Sequence, residues 1–280
     1  MAWTTSPRVM ALRRRHASVD VILETIDGWR RHLTGRNAAV LTYYGFLSIF
    51  PLLLVATTIL GIVLEHDPEL RREIVKTAIA QLPVIGRELL ENTGAVGGGV
   101  WGLVAGLVVA LWASTKAFVG AQNAFDDAWE VPLDRRGKLA VRRGKALLGV
   151  AISGTSFAAT VALTSVASIG DFRVVSRVLL LTGTVGVNTL VLAAMYRLLS
   201  AHRITWSMVW RGAICGGIGF TVLQVLGATI VRSFLRSAGH SSAAFAAVFA
   251  LIAWISLHVA VSLAGVELNA AWERRRAARR

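Results

Sequence analysis

Six long apolar stretches dominate the sequence and limit what the chain can fold into. They span 38–64, 96–118, 146–169, 178–199, 212–235 and 244–268. Each reads as apolar on every face and has about the 20 residues that a helix needs to cross a bilayer. None shows the alternation of a membrane β-strand. Charged residues make up only 16% of the chain, well below a soluble domain. The sequence therefore predicts an all-α integral membrane protein, a bundle of six transmembrane helices.

The net charge of +14 would suggest nucleic-acid binding in a soluble chain, but the positions of the basic residues indicate topology instead. Twenty basic residues fall in 1–37, 126–145, 200–211 and 269–280, and seven fall on the opposite side of the spans. By the positive-inside rule, both termini are predicted to be cytoplasmic. Because the charge is divided among short segments, we expect no nucleic-acid partner. We expect contacts with anionic lipid headgroups at the cytoplasmic face.

The segments outside the spans have simple predicted roles. Residues 1–37 form a basic cytoplasmic tail, in which an amphipathic helix over 19–33 is expected to lie at the membrane interface. Residues 38–268 form the membrane domain, and 269–280 a second basic tail. The external segment 65–95, between the first two spans, is predicted to contain an amphipathic helix that either lies on the membrane surface or covers a central cavity.

The sequence offers no recognisable catalytic or metal-binding motif. The six histidines form no HxxxH or HExxH grouping, and Cys215 is the one cysteine. A P-loop, a GxSxG motif and paired carboxylates are also absent. We therefore expect no enzymatic activity, metal or cofactor, and any pumping would need another energy source or a partner.

Polar residues within the spans are the candidates for function. Tyr44, Ser48 and Pro51 share one face of the first span, where proline predicts a kink. This face either packs against other helices, with Ser48 bonded to its own backbone, or lines a cavity at a hinge. Asn123 follows the second span and is a further candidate.

In the sixth span, His258, Glu267 and Asn269 stand out. His258 and Glu267 are nine residues apart, about 900° of helix rotation, so they point to opposite sides. His258 is either a hydrogen-bonded core residue or a functional group. Glu267, near the cytoplasmic end, has a structural or a functional role, and one interpretation has it closing a network with Asn123 or Lys116.

Small residues at four-residue spacing predict close helix packing. Five glycines have this spacing: Gly98, Gly102 and Gly106 in the second span, and Gly212 and Gly216 in the fifth. Lys116 lies near the cytoplasmic end of its span, and its ammonium is expected to extend to the lipid headgroups.

Four segments carry a family resemblance: AAVLTYYGFLSIFPLLLVATTILG (38–61), ALWASTKAFVGAQNAFDDAWEVP (110–132), RITWSMVWRGA (203–213) and AWISLHVAVSLAGVELNAAW (253–272). Their most specific patterns are Tyr44-x-x-x-Ser48-x-x-Pro51, the Asn123 to Trp129 spacing, and Gly-x-Glu-Leu-Asn around Glu267. On these residues the chain resembles the YihY/BrkB family of bacterial inner-membrane proteins.

The resemblance implies a six-span protein of the bacterial inner membrane. Movement of lipid-like molecules is ascribed to some members, so we expect a transporter or lipid translocator without its own ATPase. The alternative is a non-transporting membrane scaffold, or an envelope-integrity protein that acts through partners. An older ribonuclease label is attached to some members, but the missing metal ligands argue against that activity here.

Overall fold

Every long segment in the described part of the chain is helical. The computed structural model describes residue 4 and residues 6–63, 99–168, 173–237 and 243–279. The helices are α1 (Pro7–Arg15), α2 (Ala17–Arg31), α3 (Thr34–Val63), α4 (Gly99–Ala128), α5 (Leu139–Ser168), α6 (Arg173–Leu199), α7 (Trp206–Ser237) and α8 (Ala243–Ala277). A 3-10 turn, Leu133–Arg135, lies between α4 and α5. The all-α prediction is confirmed for these residues, which include no strand.

Helices α3 to α8 form a ring in which each helix packs against its neighbours in chain order, and α8 closes on α3. Gly149 of α5 lies against Phe118 of α4, and Gly212 of α7 against Gly265 of α8, so these neighbours run antiparallel. Helices α3, α5 and α7 thus begin, and α4, α6 and α8 end, at one end of the ring, which we call the basal end. Helix α2 packs against α8 and α3 there, and α1 packs against α2.

A hydrophobic core lies toward the basal end of the ring. It includes Phe125 of α4, Tyr196 of α6, Val209 of α7 and Leu263 of α8. The Tyr196 ring meets the Phe125 ring edge-on at 5.4 Å, and its hydroxyl donates to the carbonyl oxygen of Ser262 at 2.7 Å. A buried tyrosine needs such a partner for its hydroxyl. This one side chain therefore joins α4, α6 and α8.

Large apolar side chains outside this core face outward, as lipid-facing residues do. Val108 of α4 is 61% exposed and Val225 of α7 is 58% exposed. By length and composition, three helical segments among the described residues could cross a membrane: Val104–Ala128, Trp206–Gly227 and Val248–Ala277. The count of six spans and the cytoplasmic position of both termini stay predictions. The external segment 65–95 lies outside the described residues.

Several helices extend further than the hydropathy of the sequence predicted. Helix α4 continues to Ala128 instead of ending at 118, α5 begins at Leu139 instead of 146, and α8 continues to Ala277 instead of 268. The predicted 126–145 loop is therefore mostly helical. The prediction ended each span where polar residues begin. In the structure, the polar residues at these ends form hydrogen bonds to other helices.

Helix α2 occupies most of the segment predicted as an interfacial amphipathic helix. Its buried residues are Val21, Leu23 and Gly28, whereas the hydrophobic Ile22 is 56% exposed. Packing against α8 and α3, rather than hydrophobicity alone, decides which face is covered. The expected contact of this helix with headgroups stays a prediction.

Candidate functional site

The basal end holds a carboxylate that is completely shielded from solvent. Glu267 of α8 is 0% exposed. Its Oε1 accepts a hydrogen bond from Thr34 Oγ1 at 2.7 Å, and His32 Nδ1 lies 2.9 and 3.1 Å from its two carboxylate oxygens. Its partners thus come from the α2–α3 junction, rather than from Asn123 or Lys116 as one interpretation of the sequence had it.

Gly28 allows α2 to approach this carboxylate closely. A Cβ atom at position 28 would lie 2.6 Å from Glu267 Oε2 and 3.4 Å from Arg274 Nη2. The first distance is shorter than any real Cβ contact, so a larger residue would displace the Glu267 carboxylate or move α2 away from α8. The sequence shows only a glycine inside a helix, and the contact that requires it becomes visible in the fold.

A second carboxylate lies on the other side of His32. Glu130 follows the end of α4 with a φ of 54°, a left-handed conformation uncommon for glutamate. Its Oε1 lies 3.5 Å from His32 Nε2, 3.4 Å from Arg31 Nη2 and 3.7 Å from Arg274 Nη1. The imidazole of His32 therefore stands between the buried Glu267 and Glu130, which is 52% exposed.

A third acidic side chain ties α4 to the end of α6. Asp126 is 1% exposed, and its Oδ1 accepts hydrogen bonds from Ser200 Oγ at 2.9 Å and from the Ala201 N–H at 2.7 Å. Lys145 of α5 donates to the Ser200 carbonyl oxygen at 2.8 Å. These bonds satisfy backbone groups that the end of a helix leaves free.

Asn123 links α4 to α5 through an arginine. Its Oδ1 accepts a hydrogen bond from Arg142 Nη2. The neighbouring Gln122, 1% exposed, donates to the Arg142 carbonyl oxygen at 2.9 Å. Asp127 on the next turn accepts from Asn37 of α3 at 3.1 Å and from Arg136 at 2.7 Å. The last two turns of α4 are thus bonded to both helical neighbours.

Asn269 joins α8 to the backbone of α7. It is 1% exposed, its Oδ1 accepts a hydrogen bond from the Gly212 N–H at 2.7 Å, and its Nδ2 donates to the Val209 carbonyl oxygen at 3.0 Å. Gly212 lies close enough to Gly265 that a Cβ atom would fall 1.9 Å from the Gly265 carbonyl oxygen. The hydrogen bonds of the Asn269 amide, and the absence of a side chain at Gly212 and Gly265, together hold α7 against α8.

Several polar side chains at the basal end form what we call the basal layer: His32, Thr34, Gln122, Asn123, Asp126, Asp127, Glu130, Glu267 and Asn269. An ion-pair network extends this layer to α1. Arg13 lies within 2.8 Å of Asp20, 3.0 Å of Glu24 and 3.1 Å of Asp27, which recur along one face of α2. Burial opposes the charged guanidinium, but the bonds to Asp20 and Asp27 outweigh it and raise the pKa of Arg13. The same face of α2 pairs with α8, because Arg275 lies 3.0 Å from Asp20.

Comparison with known proteins decides the family. The family model described as Virulence factor BrkB matches residues 25–280, which include α3 to α8. The chain belongs to the BrkB family. It is also 25% identical over 285 residues to "Inner membrane protein YhjD" of Escherichia coli (strain K12), a match covering 93% of this chain and 82% of that protein. No solved structure matches it significantly.

Membership confirms the resemblance found in the sequence. Together with the long apolar helices, it identifies an inner-membrane protein of the BrkB family. The matched range contains His32, Thr34 and Glu267, and it begins after Arg13, Asp20 and Glu24.

The predicted polar residues inside the spans of this BrkB-family chain bond mainly within their own helices. Ser48, 7% exposed, donates to the Gly45 carbonyl oxygen at 2.8 Å, and Tyr44 meets Tyr43 edge-on at 5.2 Å. His258 Nδ1 lies 2.9 Å from the Trp254 carbonyl oxygen, and its ring contacts Trp254 and Phe220. Helix α3 is continuous through Pro51, and a kink there stays a prediction.

Two further polar groups lie in the middle of helices. Asn188 of α6 donates to Thr221 Oγ1 at 3.1 Å and to Gln224 Oε1 at 3.3 Å, both on α7. Lys116 of α4 is exposed, and its Nζ lies 5.9 Å from the centre of the Trp112 ring. No carboxylate of the described residues forms an ion pair with this lysine.

The glycines that were predicted to allow close helix packing lie in different surroundings. Gly98 lies outside the described residues, while Gly102 and Gly106 lie in the first two turns of α4. Gly216 of α7 faces α6, where a Cβ atom would come within 2.6 Å of Leu192.

The sequence analysis missed much of the basal layer. His32, Thr34, Asp126 and Gln122 carry its buried hydrogen bonds, yet all four lie at or beyond the predicted span ends. Polar residues inside a helix-forming pattern near a span end, such as Gln122 and Asp126, are the signal that could have found two of them. Among the described residues, no group of three potential metal ligands occurs.

Proposed function

We propose that this BrkB-family protein is a translocator that moves lipid-like anionic molecules across the inner membrane and contains no ATPase of its own. The proposal assigns it no enzymatic reaction. The main observation in support of this proposal is the position of Lys116.

Lys116 lies where a charged side chain is costly. It lies in the apolar part of α4, six residues before the polar Gln122, and a charged side chain inside a bilayer costs up to roughly 2.5–3.5 kcal/mol on the lenient insertion scale. A lysine can escape this cost by reaching the headgroups. Here the polar end of α4 begins at Gln122, about 9 Å further along the helix, and Lys116 is directed the other way, over Trp112.

An exposed ammonium in this position suits a passing phosphate or carboxylate. A lipid headgroup that crosses the bilayer loses its hydration, and a fixed cation on its path lowers the cost of its negative charge. The indole of Trp112, 54% exposed, would contact the apolar part of the same molecule. At the basal end, the exposed arginines Arg30 and Arg203 would attract anionic headgroups from the adjacent leaflet.

The test uses the purified full chain in liposomes of phosphatidylethanolamine and phosphatidylglycerol. Fluorescent phosphatidylglycerol or phosphatidylcholine is included, and dithionite bleaches the label in the outer leaflet. We expect the wild type to expose inner-leaflet phosphatidylglycerol faster than phosphatidylcholine. Lys116→Met should remove this preference for the anionic probe.

Arg143→Met is the matched control, because it also removes one positive charge but from an exposed position on α5. It should retain most of the preference. The proposal fails if the wild type moves neither probe above the rate of empty liposomes. The role of Lys116 fails if Lys116→Met behaves like Arg143→Met.

The second candidate is a non-transporting scaffold that acts through partners. It is favoured by the ion pairs that fix α1 to α2 through Arg13 and leave Met10 and Leu12 exposed. A chain lacking residues 1–16 distinguishes the two candidates. Loss of envelope integrity in cells with lipid movement unchanged in liposomes would favour the scaffold, whereas Lys116→Met would leave a scaffold intact.

A further inference from the structure

We propose that His32 relays protons between the exposed Glu130 and the buried Glu267, and that Glu267 is the proton-binding site that couples transport to a pH gradient. The relay stands on geometry alone. Its coupling to transport rests on the proposed function and supplies the energy source that the chain otherwise lacks.

The geometry is that of an imidazole bridging two carboxylates of different exposure. His32 has a side chain that is only 7% exposed. Its Nδ1 lies 2.9 Å from Glu267 Oε1, and its Nε2 lies 3.5 Å from Glu130 Oε1. This Nε2 is buried and has no hydrogen-bond partner. One ring nitrogen is thus engaged with the buried acid, and the other is directed at the acid that solvent reaches.

The surroundings of Glu267 argue against a merely structural ion pair. Among the described residues, no lysine or arginine nitrogen lies within 4 Å of its carboxylate, and the basic side chain that contacts it is His32. Arg274 is adjacent, with Nε and Nη2 buried and without hydrogen bonds, yet it pairs with Glu24 and Glu130 instead. A buried carboxylate is normally held by a permanent cation. Here the partner is an imidazole, which can carry a proton on either ring nitrogen.

The charged groups facing this pair come from three elements. Helix α2 contributes Glu24 and Arg31, the turn after α4 contributes Glu130, and α8 contributes Arg274. Helix α3 contributes the hydroxyl of Thr34, a hydrogen-bond donor to Glu267. The two arginines lie on the Glu130 side of His32, within 3.7 Å of the outer carboxylate.

The transfer balances without any further reactant. Glu130 takes a proton from solvent and passes it to His32 Nε2, which forms an imidazolium and restores the Glu130 carboxylate. The imidazolium gives its Nδ1 proton to Glu267 Oε1, leaving a neutral carboxylic acid and a neutral imidazole protonated at Nε2. The imidazole, which began with its proton on Nδ1, ends with its proton on Nε2. The net result is one proton moved from solvent to Glu267.

Protonation changes the contact between α2 and α8. A neutral Glu267 accepts weaker hydrogen bonds from Thr34 and His32 than the carboxylate does. The α2–α8 contact around Gly28 is then less stable, and the basal end can open. A pH gradient would in this way set how often the basal end is open.

The first experiment measures the relay itself. The full chain in lipid nanodiscs is followed by infrared spectroscopy after a jump from about pH 8 to pH 5, across the range where histidine titrates. A protonated-carboxyl band that Glu267→Gln abolishes is expected. In His32→Gln, whose amide can still donate to Glu267 but cannot relay a proton, the band should appear about 100-fold more slowly. Glu130→Gln should also slow it, whereas the exposed Asp134→Asn should not.

An unchanged rate in His32→Gln, or no band assignable to Glu267, would overturn the relay. Thr34→Val separates a loss of stability from a loss of proton transfer. It removes one hydrogen bond to Glu267 and should lower thermal stability while leaving the rate of the band close to that of the wild type. If it slows the band as much as His32→Gln does, the effect is structural and the relay is wrong.

The second experiment tests the coupling in liposomes, with fluorescent phosphatidylglycerol as the probe and an imposed pH gradient. Faster movement under the gradient, lost in His32→Gln, supports the proposal. Probe movement that ignores the gradient overturns the coupling while the translocator function stands. If the infrared relay is present but no probe moves, the proposed function fails and the proton relay remains.

Discussion

The crossing of α7 and α8 depends on Gly212 having no side chain. A Cβ atom there would lie 1.9 Å from the carbonyl oxygen of Gly265, whereas ordinary contacts begin at 3.4 Å. In Gly212→Ala the two helices would have to separate by about 1.5 Å. That movement would stretch the 2.7 Å bond between the Gly212 N–H and Asn269 Oδ1 beyond hydrogen-bonding distance.

Two costs follow from this displacement. Overpacking in a close contact costs about 1–3 kcal/mol, and a buried amide left without its partner costs about 1–3 kcal/mol more. We expect the free energy of unfolding to fall by about 2–6 kcal/mol, which corresponds to a loss of roughly 5–15 °C in melting temperature. Gly154→Ala on α5 and Gly186→Ala on α6 are matched controls, because a Cβ atom at either position meets nothing within 4 Å.

The measurement is the fraction of protein that stays monodisperse after heating in one detergent, read by fluorescence-detected size-exclusion chromatography. The controls should match the wild type or gain up to about 1 kcal/mol from the higher helix propensity of alanine. A melting temperature for Gly212→Ala within about 2 °C of both controls would refute the close α7–α8 crossing.

Other parts of the basal end give further predictions. Asp126→Asn removes the charge from a buried acceptor of two hydrogen bonds and should cost about 1–2 kcal/mol in thermal unfolding, whereas the exposed Asp134→Asn should cost almost nothing. Arg13→Gln breaks three ion pairs and should make α1 more sensitive to limited chymotrypsin digestion, unlike exposed Arg15→Gln. Since its pKa is raised, Arg13 stays protonated to higher pH than a free arginine, so the wild type should keep its protection from about pH 7 to pH 10. A reporter that fluoresces only in the cytoplasm, fused after Arg280, should be bright; a dark fusion would contradict cytoplasmic termini.

The helical architecture and the family could be predicted because both are encoded locally. Long apolar runs require a helix in lipid, and short motifs around Ser48 and Glu267 carry the family resemblance. Helix ends were predicted less well, because hydropathy treats Asn123 and Asp126 as residues that end a span. Their partners, Arg142 on α5 and Ser200 just after α6, come close only in the folded ring.

The partners of Glu267 could not be predicted for a related reason. His32 and Thr34 lie more than 230 residues earlier in the chain, in a tail that the charge pattern assigned to the membrane surface. What brings them together is the close seating of α2 on α8, which depends on Gly28. A single glycine in a helix gives no sign in the sequence of the partner that it accommodates.

The ring also has a consequence for how the protein is made. Glu267 and Asn269, the side chains that join α8 to the α2–α3 junction and to α7, lie on the last of the described helices to leave the ribosome. Until that helix is inserted, His32 and Thr34 lack the carboxylate of Glu267, and the backbone of α7 lacks its bonds to Asn269. An arrested or truncated chain is therefore an open arc of helices with unpaired polar groups near the membrane surface, the kind of substrate that membrane proteases remove.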